Sequence, residues 1–284
     1  MVETRKIKHF MHFLKNVRHY SPHTQNAYAR DLHKLSDFLL EENIHQWEAV
    51  TAEQLNLFSM RLYHNGINPS SISRCMSSIR SFFKFLEHDI GKIQTPKTTK
   101  KLPNILSYEQ FKLMAKPHSG ECLVLRNAAI IELLYSCGLR VSELVGLNMN
   151  DIDAEFLTVL GKGGKMRTTP IGTESYQVLS RYLKKSKHTD KAVFVNQNGQ
   201  RLSVRWVQDM VKKRALEVGI KINVYPHMLR HAAATHFLQS SHDLRSVQEF
   251  LGHKSIKSTQ VYTHLDFLEL SKVYDKCHPR ARKK

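Results

Sequence analysis

Two imidazoles, a guanidinium and a phenol fall within one stretch near the C-terminus, residues 225–267. These groups belong to His227, Arg230, His253 and Tyr262. His227 and Arg230 are three residues apart, so a helix over this stretch places them on one face. Groups of these types stabilise charge and move protons in phosphoryl transfer. The set therefore predicts phosphoryl-transfer chemistry.

The local sequence indicates which elements position these groups. Pro226 is a favourable first helical residue, because its missing N–H would be unpaired at that position anyway. A second helix is predicted to begin near Asp243, and Gly252 permits a sharp turn at its end, which places His253 at that end. Taken singly, each candidate also has an ordinary interpretation as a packing residue, a surface residue or an ion-pair partner. The prediction of chemistry rests on the whole set.

Zinc is the alternative that the histidines raise. His227 and His231 have the i, i+4 spacing of helical metal ligands, and His236 follows. No cysteine or acidic residue lies nearby at a usual interval to act as a third ligand. We expect no metal and no cofactor.

The charge balance points to a polyanionic partner. Lys and Arg total 43 against 25 Asp and Glu, a formal net charge of +18. Nucleic acid is the default partner for such a chain. A merely basic soluble protein is the alternative that composition leaves open.

Cysteine usage and hydropathy predict a soluble cytoplasmic protein. The four cysteines are scattered without a C-x-x-C pair, which indicates neither a disulfide framework nor a zinc site. The most apolar run, residues 122–139, is interrupted by Arg126 and Glu132, so no membrane span is expected. The first ten residues lack an apolar core of signal-peptide length.

Residues 1–88 predict a helical domain of four helices. Ser21-Pro22, Pro69-Ser70 and a capping box at Thr51 mark helix starts, each followed by an apolar stripe. The last of these helices carries Arg74, Arg80 and Lys84 between its apolar positions. This basic face either contacts DNA phosphates or is a solvated polar surface; the sequence favours neither.

Residues 89–106 predict a basic linker. The segment contains Pro96, Pro103 and several lysines, with little apolar periodicity. A basic linker between two domains suggests the hypothesis that it runs along a duplex while the domains clamp the DNA from opposite sides.

Residues 107–284 predict a second domain of mixed structure. A long amphipathic helix over about 121–136 ends at Gly138, and Arg140 follows it, with Glu143 as a possible ion-pair partner. Period-two alternation over 155–171 predicts a β-hairpin whose glycine-rich turn carries Lys162 and Lys165. The turn is not a P-loop, because Met166 follows Lys165 where Ser or Thr is required.

Two further helices are predicted in this domain, over about 173–185 and 203–218. The second is expected to bury Trp206, Met210, Val211 and Leu216, and to expose the intervening basic residues.

The ordered set Arg140, Lys162, His227, Arg230, His253 and Tyr262 resembles that of the tyrosine recombinase (phage integrase) family. The segments GLRVSEL, GKGGKMRTTP, HMLRHAAATH, LGH and VYTHLDF are similar to the boxes of that family in order and spacing. The resemblance covers nearly the whole chain and is strongest to the Xer branch. SSIRSFFKFL and VYDKCHPRARKK resemble one of that branch's two sister enzymes more than the other. His242 departs from the pattern, since relatives often carry a small residue there; this puts only local loop geometry in doubt.

The resemblance implies a fold that is mainly α with a small β-hairpin, in two domains that clamp DNA. Residues 1–88 would form the helical, SAM-like core-binding domain and residues 107–284 the α+β catalytic domain. Tyr262 would be the nucleophile that forms a 3′-phosphotyrosyl bond, with Arg140 and Arg230 on the non-bridging oxygens. Lys162 would protonate the leaving 5′-oxygen, His227 would assist proton transfer, and His253 would bond the phosphate.

The implied partners are a double-stranded recombination site, a second Xer-type recombinase in a heterotetramer, and a DNA translocase as activator. A C-terminal helix at about 267–277 is expected to dock on a neighbouring subunit; packing on its own domain is the alternative. A topoisomerase IB-like nicking-closing enzyme and a non-catalytic DNA-binding relative are the competing interpretations.

Overall fold

The computed structural model describes residues 4–96, 105–161, 164, 166–186, 191–252, 273, 274 and 276–280. The chain divides into two compact units, Met1–Leu102 and Pro103–Lys284, each described here by itself. The predicted fold class, mainly α with a small β-hairpin, is confirmed. In the described part of the chain no helix is both long enough and apolar enough to cross a membrane.

The described residues of the first unit, 4–96, form four α-helices. They are α1 (Thr4–Asn16), α2 (Pro22–Glu41), α3 (Ala52–His64) and α4 (Pro69–Phe85), with a 3₁₀ turn at Trp47–Ala49. The predicted caps explain where they start. Ser21 Oγ accepts the Thr24 N–H at 3.3 Å at the start of α2, and Thr51 forms the predicted capping box with Gln54. Each cap satisfies N–H groups that have no partner within the helix.

Aromatic side chains fill the core of this unit. The rings of Phe10 and Trp47 lie 5.3 and 4.9 Å from that of Phe82, in edge-on arrangements that aromatic pairs prefer. Ile90 and Ile93, which belong to the predicted linker, are buried against the same core.

Part of the predicted basic face acts inside this unit. Arg74 donates to both carboxylate oxygens of buried Asp31, at 2.6 and 3.0 Å, and Ser78 Oγ donates to the same carboxylate at 2.9 Å. Arg80 donates to the Ile93 carbonyl at 3.2 Å. Lys84 remains exposed. Two of the three cations thus support the fold, while the Arg74 side chain stays 53% exposed.

In the second unit, other helices pack around one central helix, Cys122–Ser136. Its elements are α5 (Tyr108–Ala115), α6 (Cys122–Ser136), α7 (Val141–Gly146), β1 (Phe156–Leu160), β2 (Met166–Pro170), α8 (Thr173–Lys185), α9 (Val204–Glu217), α10 (Pro226–Ser241) and α11 (Leu244–Leu251), with a 3₁₀ turn at Met149–Asp151. The strands form the predicted antiparallel hairpin, in which Leu157 pairs with Thr169 and Val159 with Arg167.

Helix α6 is buried on nearly all sides, whereas the sequence predicted an amphipathic helix. Its charged residues are buried along with its apolar ones, because each has a partner. Arg126 lies 4.3 Å from the Trp206 ring centroid, and Glu132 accepts hydrogen bonds from Arg280. The helix contacts α5, α8 and α10, and a helix enclosed in this way has apolar residues on all of its faces.

One predicted core residue of α9 is on the surface. Leu216 is 61% exposed, whereas Val211 and Ala215 face the core four residues apart. The prediction for Leu216 was wrong because the helical period carries it away from the buried face. Arg214 is less exposed than expected, since it donates to the Met114 and Lys116 carbonyls at 3.1 and 2.8 Å.

The described C-terminal residues pack on their own unit. Tyr274 is fully buried and its hydroxyl donates to the Ser136 carbonyl at 3.0 Å, while its ring stacks on His278 at 4.4 Å. A Cβ placed on Gly172 would overlap the Arg280 carbonyl oxygen, so this segment passes directly over Gly172. In the single chain these residues follow the own-domain alternative; docking on a neighbouring subunit stays a prediction.

Candidate active site

Arg140 and Glu143 meet at the start of α7. Arg140 is the N-cap residue, and its backbone N–H donates to Glu143 Oε2 at 2.8 Å. Its Nη1 also donates to Glu143 Oε1 at 2.6 Å. The Glu143 side chain is 2% exposed and that of Arg140 is 34% exposed. The pair expected from the sequence therefore forms, and it leaves the Arg140 side chain accessible to a ligand.

Arg230 lies on the other side of the same carboxylate. It is buried in the first turns of α10, where Pro226 starts the helix as predicted, and its Nη1 is 3.7 Å from Glu143 Oε2. The guanidinium also donates to two backbone carbonyls, those of Gly138 after α6 and Leu251 at the end of α11. Arg230 thus joins the ends of two helices to the Glu143 carboxylate.

Arg167 is a third cation at this site, and the sequence analysis missed it. From β2 it donates to Glu143 Oε2 at 2.9 Å and to the Phe250 carbonyl at 3.0 Å. A signal was present in the sequence. Arg167 shares a face of β2 with buried Thr169, so alternation along the strand places this charge on the inward side.

The cluster holds three guanidinium groups around one carboxylate. Burial acts to raise the pKa of Glu143, but the Arg167 charge and hydrogen bonds from Arg167 and Arg140 outweigh burial, so the pKa is lowered. Burial, together with the charges of Arg140 and Arg167, lowers the pKa of Arg230 to about 9. The carboxylate is therefore ionised and the cations exceed it in number. Such a surplus favours an anion with several acceptor oxygens, such as a phosphate.

His227 lies at the start of α10, exposed and three residues before Arg230. Loss of hydration lowers its pKa, and the nearby positive charges of Arg230, His231 and Arg140 lower it further. The ring is therefore neutral at pH 7 and able to accept a proton. Of the six predicted site residues, the structure brings Arg140, His227 and Arg230 together.

Lys162, His253 and Tyr262 lie outside the described residues, and their places in the site remain predictions. The elements next to two of them are described. The strands β1 and β2 flank the turn of Lys162. Helix α11 starts near Asp243, as predicted, with Asp243 as its N-cap, and its C-cap is Gly252, with φ +61°, one residue before His253 in the sequence. A Cβ on Gly252 would lie 2.7 Å from Arg167 Cδ, so glycine permits both the turn and this close approach.

His242 takes the left-handed conformation that a small residue would adopt more easily. Its φ is +53°, at the C-cap of α10. The departure noted in the sequence thus falls on a left-handed position, which histidine occupies more often than most other residues except glycine, asparagine and aspartate.

The histidines that raised the zinc alternative have other surroundings. His236 Nδ1 lies 2.7 Å from the Tyr135 hydroxyl. Among the described residues no group of three or more His, Cys, Asp or Glu is placed to hold a metal.

Comparison with known protein families gives two matches that together span most of the chain. The phage integrase family model matches residues 104–269, and the phage integrase N-terminal SAM-like domain matches residues 7–89.

Curated relatives and solved structures agree with these matches. The tyrosine recombinase XerC of Pseudomonas fluorescens (strain Pf0-1) is 40% identical, over 98% of this chain and 97% of the relative. The XerC of Pseudomonas syringae pv. tomato is 42% identical, over 95% of each chain. Among structures, the XerH recombinase bound to palindromic difH has a TM-score of 0.71 at 22% identity, covering 91% of this chain and 81% of that chain. A lambda integrase dimer bound to a COC′ core site has a TM-score of 0.70 at 16% identity, covering 92% and 99%.

Proposed function

Because the chain belongs to the phage integrase family of tyrosine recombinases, we propose that it cuts and rejoins DNA strands at a specific site through a 3′-phosphotyrosyl intermediate. The observation that carries this proposal is the cluster around Glu143. There Arg140, Arg167 and Arg230 surround a single buried carboxylate, and Arg140 keeps an accessible side chain. This surplus of fixed positive charge suits a phosphorane, whose charge increases in the transition state.

In the proposed reaction the Tyr262 hydroxyl oxygen attacks the scissile phosphorus. Arg140 and Arg230 contact the non-bridging oxygens, since a planar guanidinium can donate to two oxygens at once. Arg230 already donates to the Gly138 and Leu251 carbonyls, which fix its plane, and it retains further N–H groups for a phosphate oxygen. Glu143 holds Arg140 in place.

Proton transfer is assigned to two groups, His227 and Lys162. A phenol has an unperturbed pKa of about 10, so the attack requires a base or a strong positive field. Neutral His227 assists this proton transfer, Lys162 protonates the departing 5′-oxygen, and His253 bonds the phosphate. The tyrosyl ester conserves the energy of the broken phosphodiester. The incoming 5′-hydroxyl therefore reverses the first step, and the cycle consumes no ATP.

The likeness to XerC supports a more specific role. We propose that the recombinase resolves chromosome dimers in the cytoplasm during cell division. It would act on a double-stranded site within a heterotetramer that contains a second, XerD-like recombinase, with a DNA translocase as activator. Identity of about 40% over nearly the full length of the XerC relatives supports this role, as does the net charge of +18. Both units would bind the duplex, the first through its exposed Lys84 and the outer part of Arg74.

A nicked suicide substrate tests the reaction. Cleavage releases a short fragment that carries the 5′-hydroxyl, and its diffusion away prevents religation and traps the covalent intermediate. We expect an adduct that resists SDS with the wild-type protein and none with Tyr262→Phe, while DNA binding persists. Tyr274→Phe is the matched control. Its hydroxyl is buried and donates to the Ser136 carbonyl, so the adduct should still form. An adduct with Tyr262→Phe would contradict the assignment and make Tyr225, which is 45% exposed, the better nucleophile.

A further inference from the structure

Arg167 contacts parts of the site that lie far apart in the sequence. Its backbone belongs to β2, which follows the turn of Lys162. Its Nη2 reaches the Glu143 carboxylate on α7, and its Nη1 reaches the Phe250 carbonyl at the end of α11, 83 residues away. One side chain thus joins the hairpin, the helix that begins at Arg140, and the helix that ends just before His253.

The contact with α11 is close as well as polar. Arg167 Cδ and Nε would lie 2.7 and 3.1 Å from a Cβ on Gly252. Arg230 binds the next carbonyl, that of Leu251. Two guanidinium groups therefore hold the last two carbonyls of α11, which are groups that a helix end leaves without internal partners. These two side chains therefore hold the C-terminal end of α11 in place.

Stability alone does not explain the placement of Arg167. Its Nε is buried and has no hydrogen-bond partner among the described residues, which is unfavourable for the folded state. Its positive charge also lies beside two other cations that share one carboxylate. Repulsion of this kind is unfavourable in the absence of a ligand and is relieved when an anion binds.

We infer that Arg167 is a positioning residue for the phosphate-binding groups. Through Glu143 it orients Arg140, and through Phe250 and Gly252 it fixes the end of α11 from which His253 leaves. The inference rests on the proposed function. Its substrate is the same phosphodiester, and Arg167 acts on it through these neighbours.

Single-turnover cleavage of the nicked substrate tests the inference with three variants. Arg167→Met removes the positive charge and both hydrogen bonds but keeps an unbranched side chain. Arg167→Lys keeps the charge but cannot bridge two acceptors in the same way. Arg214→Met is the matched control, because Arg214 also holds backbone carbonyls and its side chain is 16% exposed, against 14% for Arg167. Thermal unfolding and DNA affinity are measured for all three.

We expect Arg167→Met to cleave about 10- to 100-fold more slowly, because small displacements of catalytic groups have effects of this size. DNA affinity at low salt should fall only slightly, because one positive charge is lost from the site. Arg167→Lys should be intermediate, and Arg214→Met should cleave at the wild-type rate. A second substrate has a neutral methylphosphonate at the scissile position. There the Arg167→Met defect should shrink, because less charge has to be stabilised.

Three results would overturn the inference: wild-type cleavage by Arg167→Met, full recovery in Arg167→Lys, or an equal defect on the two substrates. The first would exclude any role in the reaction, the second would reduce the role to charge alone, and the third would indicate general damage to the fold. Failure of the wild-type protein to form an adduct would instead overturn the proposed function, and this inference with it.

Discussion

Asp31 in the first unit and Glu143 in the second are both buried carboxylates bound by arginine, yet their surroundings differ. Among the described residues Asp31 pairs with the single guanidinium of Arg74 and accepts one hydroxyl, so its charges balance. Glu143 has three guanidinium groups within 4 Å, so positive charge is in excess.

The difference separates a carboxylate that serves the fold from one that serves a ligand. In a balanced pair each charge is neutralised by the other, and removal of one partner leaves the other buried without a hydrogen bond. An unbalanced cluster is complete only when an anion binds. We infer that the ratio of cations to carboxylates, and not burial alone, distinguishes the proposed active site from the carboxylate pair of the first unit.

The largest effect is expected from Arg230→Met, which removes the most buried cation of the unbalanced cluster. Cleavage of the nicked substrate should fall by about 10²- to 10³-fold, or about 3–4 kcal/mol in the barrier, because one donor to the developing charge is lost. Single-turnover kinetics measure this. Retention of the wild-type rate would contradict the idea that the surplus charge serves the phosphate.

Asp31→Asn is expected to affect stability and not chemistry. The change removes the charge of a buried acceptor that binds Arg74 and Ser78, and should lower the free energy of unfolding by about 2 kcal/mol. The exposed half of Arg74 limits the loss, because water can solvate that guanidinium. Urea unfolding measures the change, and the cleavage rate on saturating DNA should stay within about twofold of wild type, since about 0.4 kcal/mol is the most that a remote change should transmit. A large decrease in the cleavage rate would contradict the idea that Asp31 serves only the fold.

Glu143→Gln is the same chemical change in the other cluster, and the opposite outcome is expected. Arg140 loses the charged partner that orients it, so cleavage should slow by about ten- to thirtyfold, or about 1.4–2 kcal/mol. DNA binding at low salt should strengthen, because a negative charge has been removed from an anion site. Equal DNA affinity and an unchanged rate would show that Glu143 is only structural.

His278 offers the smallest test, within the second unit but away from the surplus charge. Burial lowers its pKa to about 3, with a further contribution from His236. The unfolded chain therefore binds a proton near pH 6.5 that the folded protein does not bind until near pH 3. Stability should thus decrease as the pH falls below 6.5, by about 0.8 kcal/mol between pH 7.5 and 6.0.

His278→Phe should remove this part of the pH dependence, since the ring keeps its stack on Tyr274 and cannot be protonated. Melting temperatures at the two pH values measure the difference for each protein. An unchanged pH dependence would show that His278 titrates normally in the folded protein.

Local rules predicted most of the helices and the hairpin. Ser21, Thr51 and Asp243 each cap a helix as their side chains suggest, and Gly252 ends α11 in the left-handed conformation. These features depend on neighbours within four residues, which the sequence displays directly. The Arg140–Glu143 ion pair could be predicted for the same reason, since the two residues are three apart in the sequence.

What could not be predicted depends on contacts between distant segments. The pairing of Arg167 with Phe250 and Glu143 requires the relative placement of β2, α7 and α11, which no local pattern encodes. The burial of α6 arises likewise, because Arg126 and Glu132 have partners far along the chain. The assignments of Lys162, His253 and Tyr262 remain predictions from their motifs.

The close passage of the C-terminal segment over Gly172 provides an experimental handle. The backbone of Gly172 has φ −69° and ψ 148°, which alanine adopts freely, so the start of α8 would tolerate the substitution. The added methyl group would overlap the Arg280 carbonyl oxygen and displace the C-terminal segment from its contact with Gly172. One methyl group added at Gly172 would thus detach the C-terminal segment without any change in the sequence of that segment.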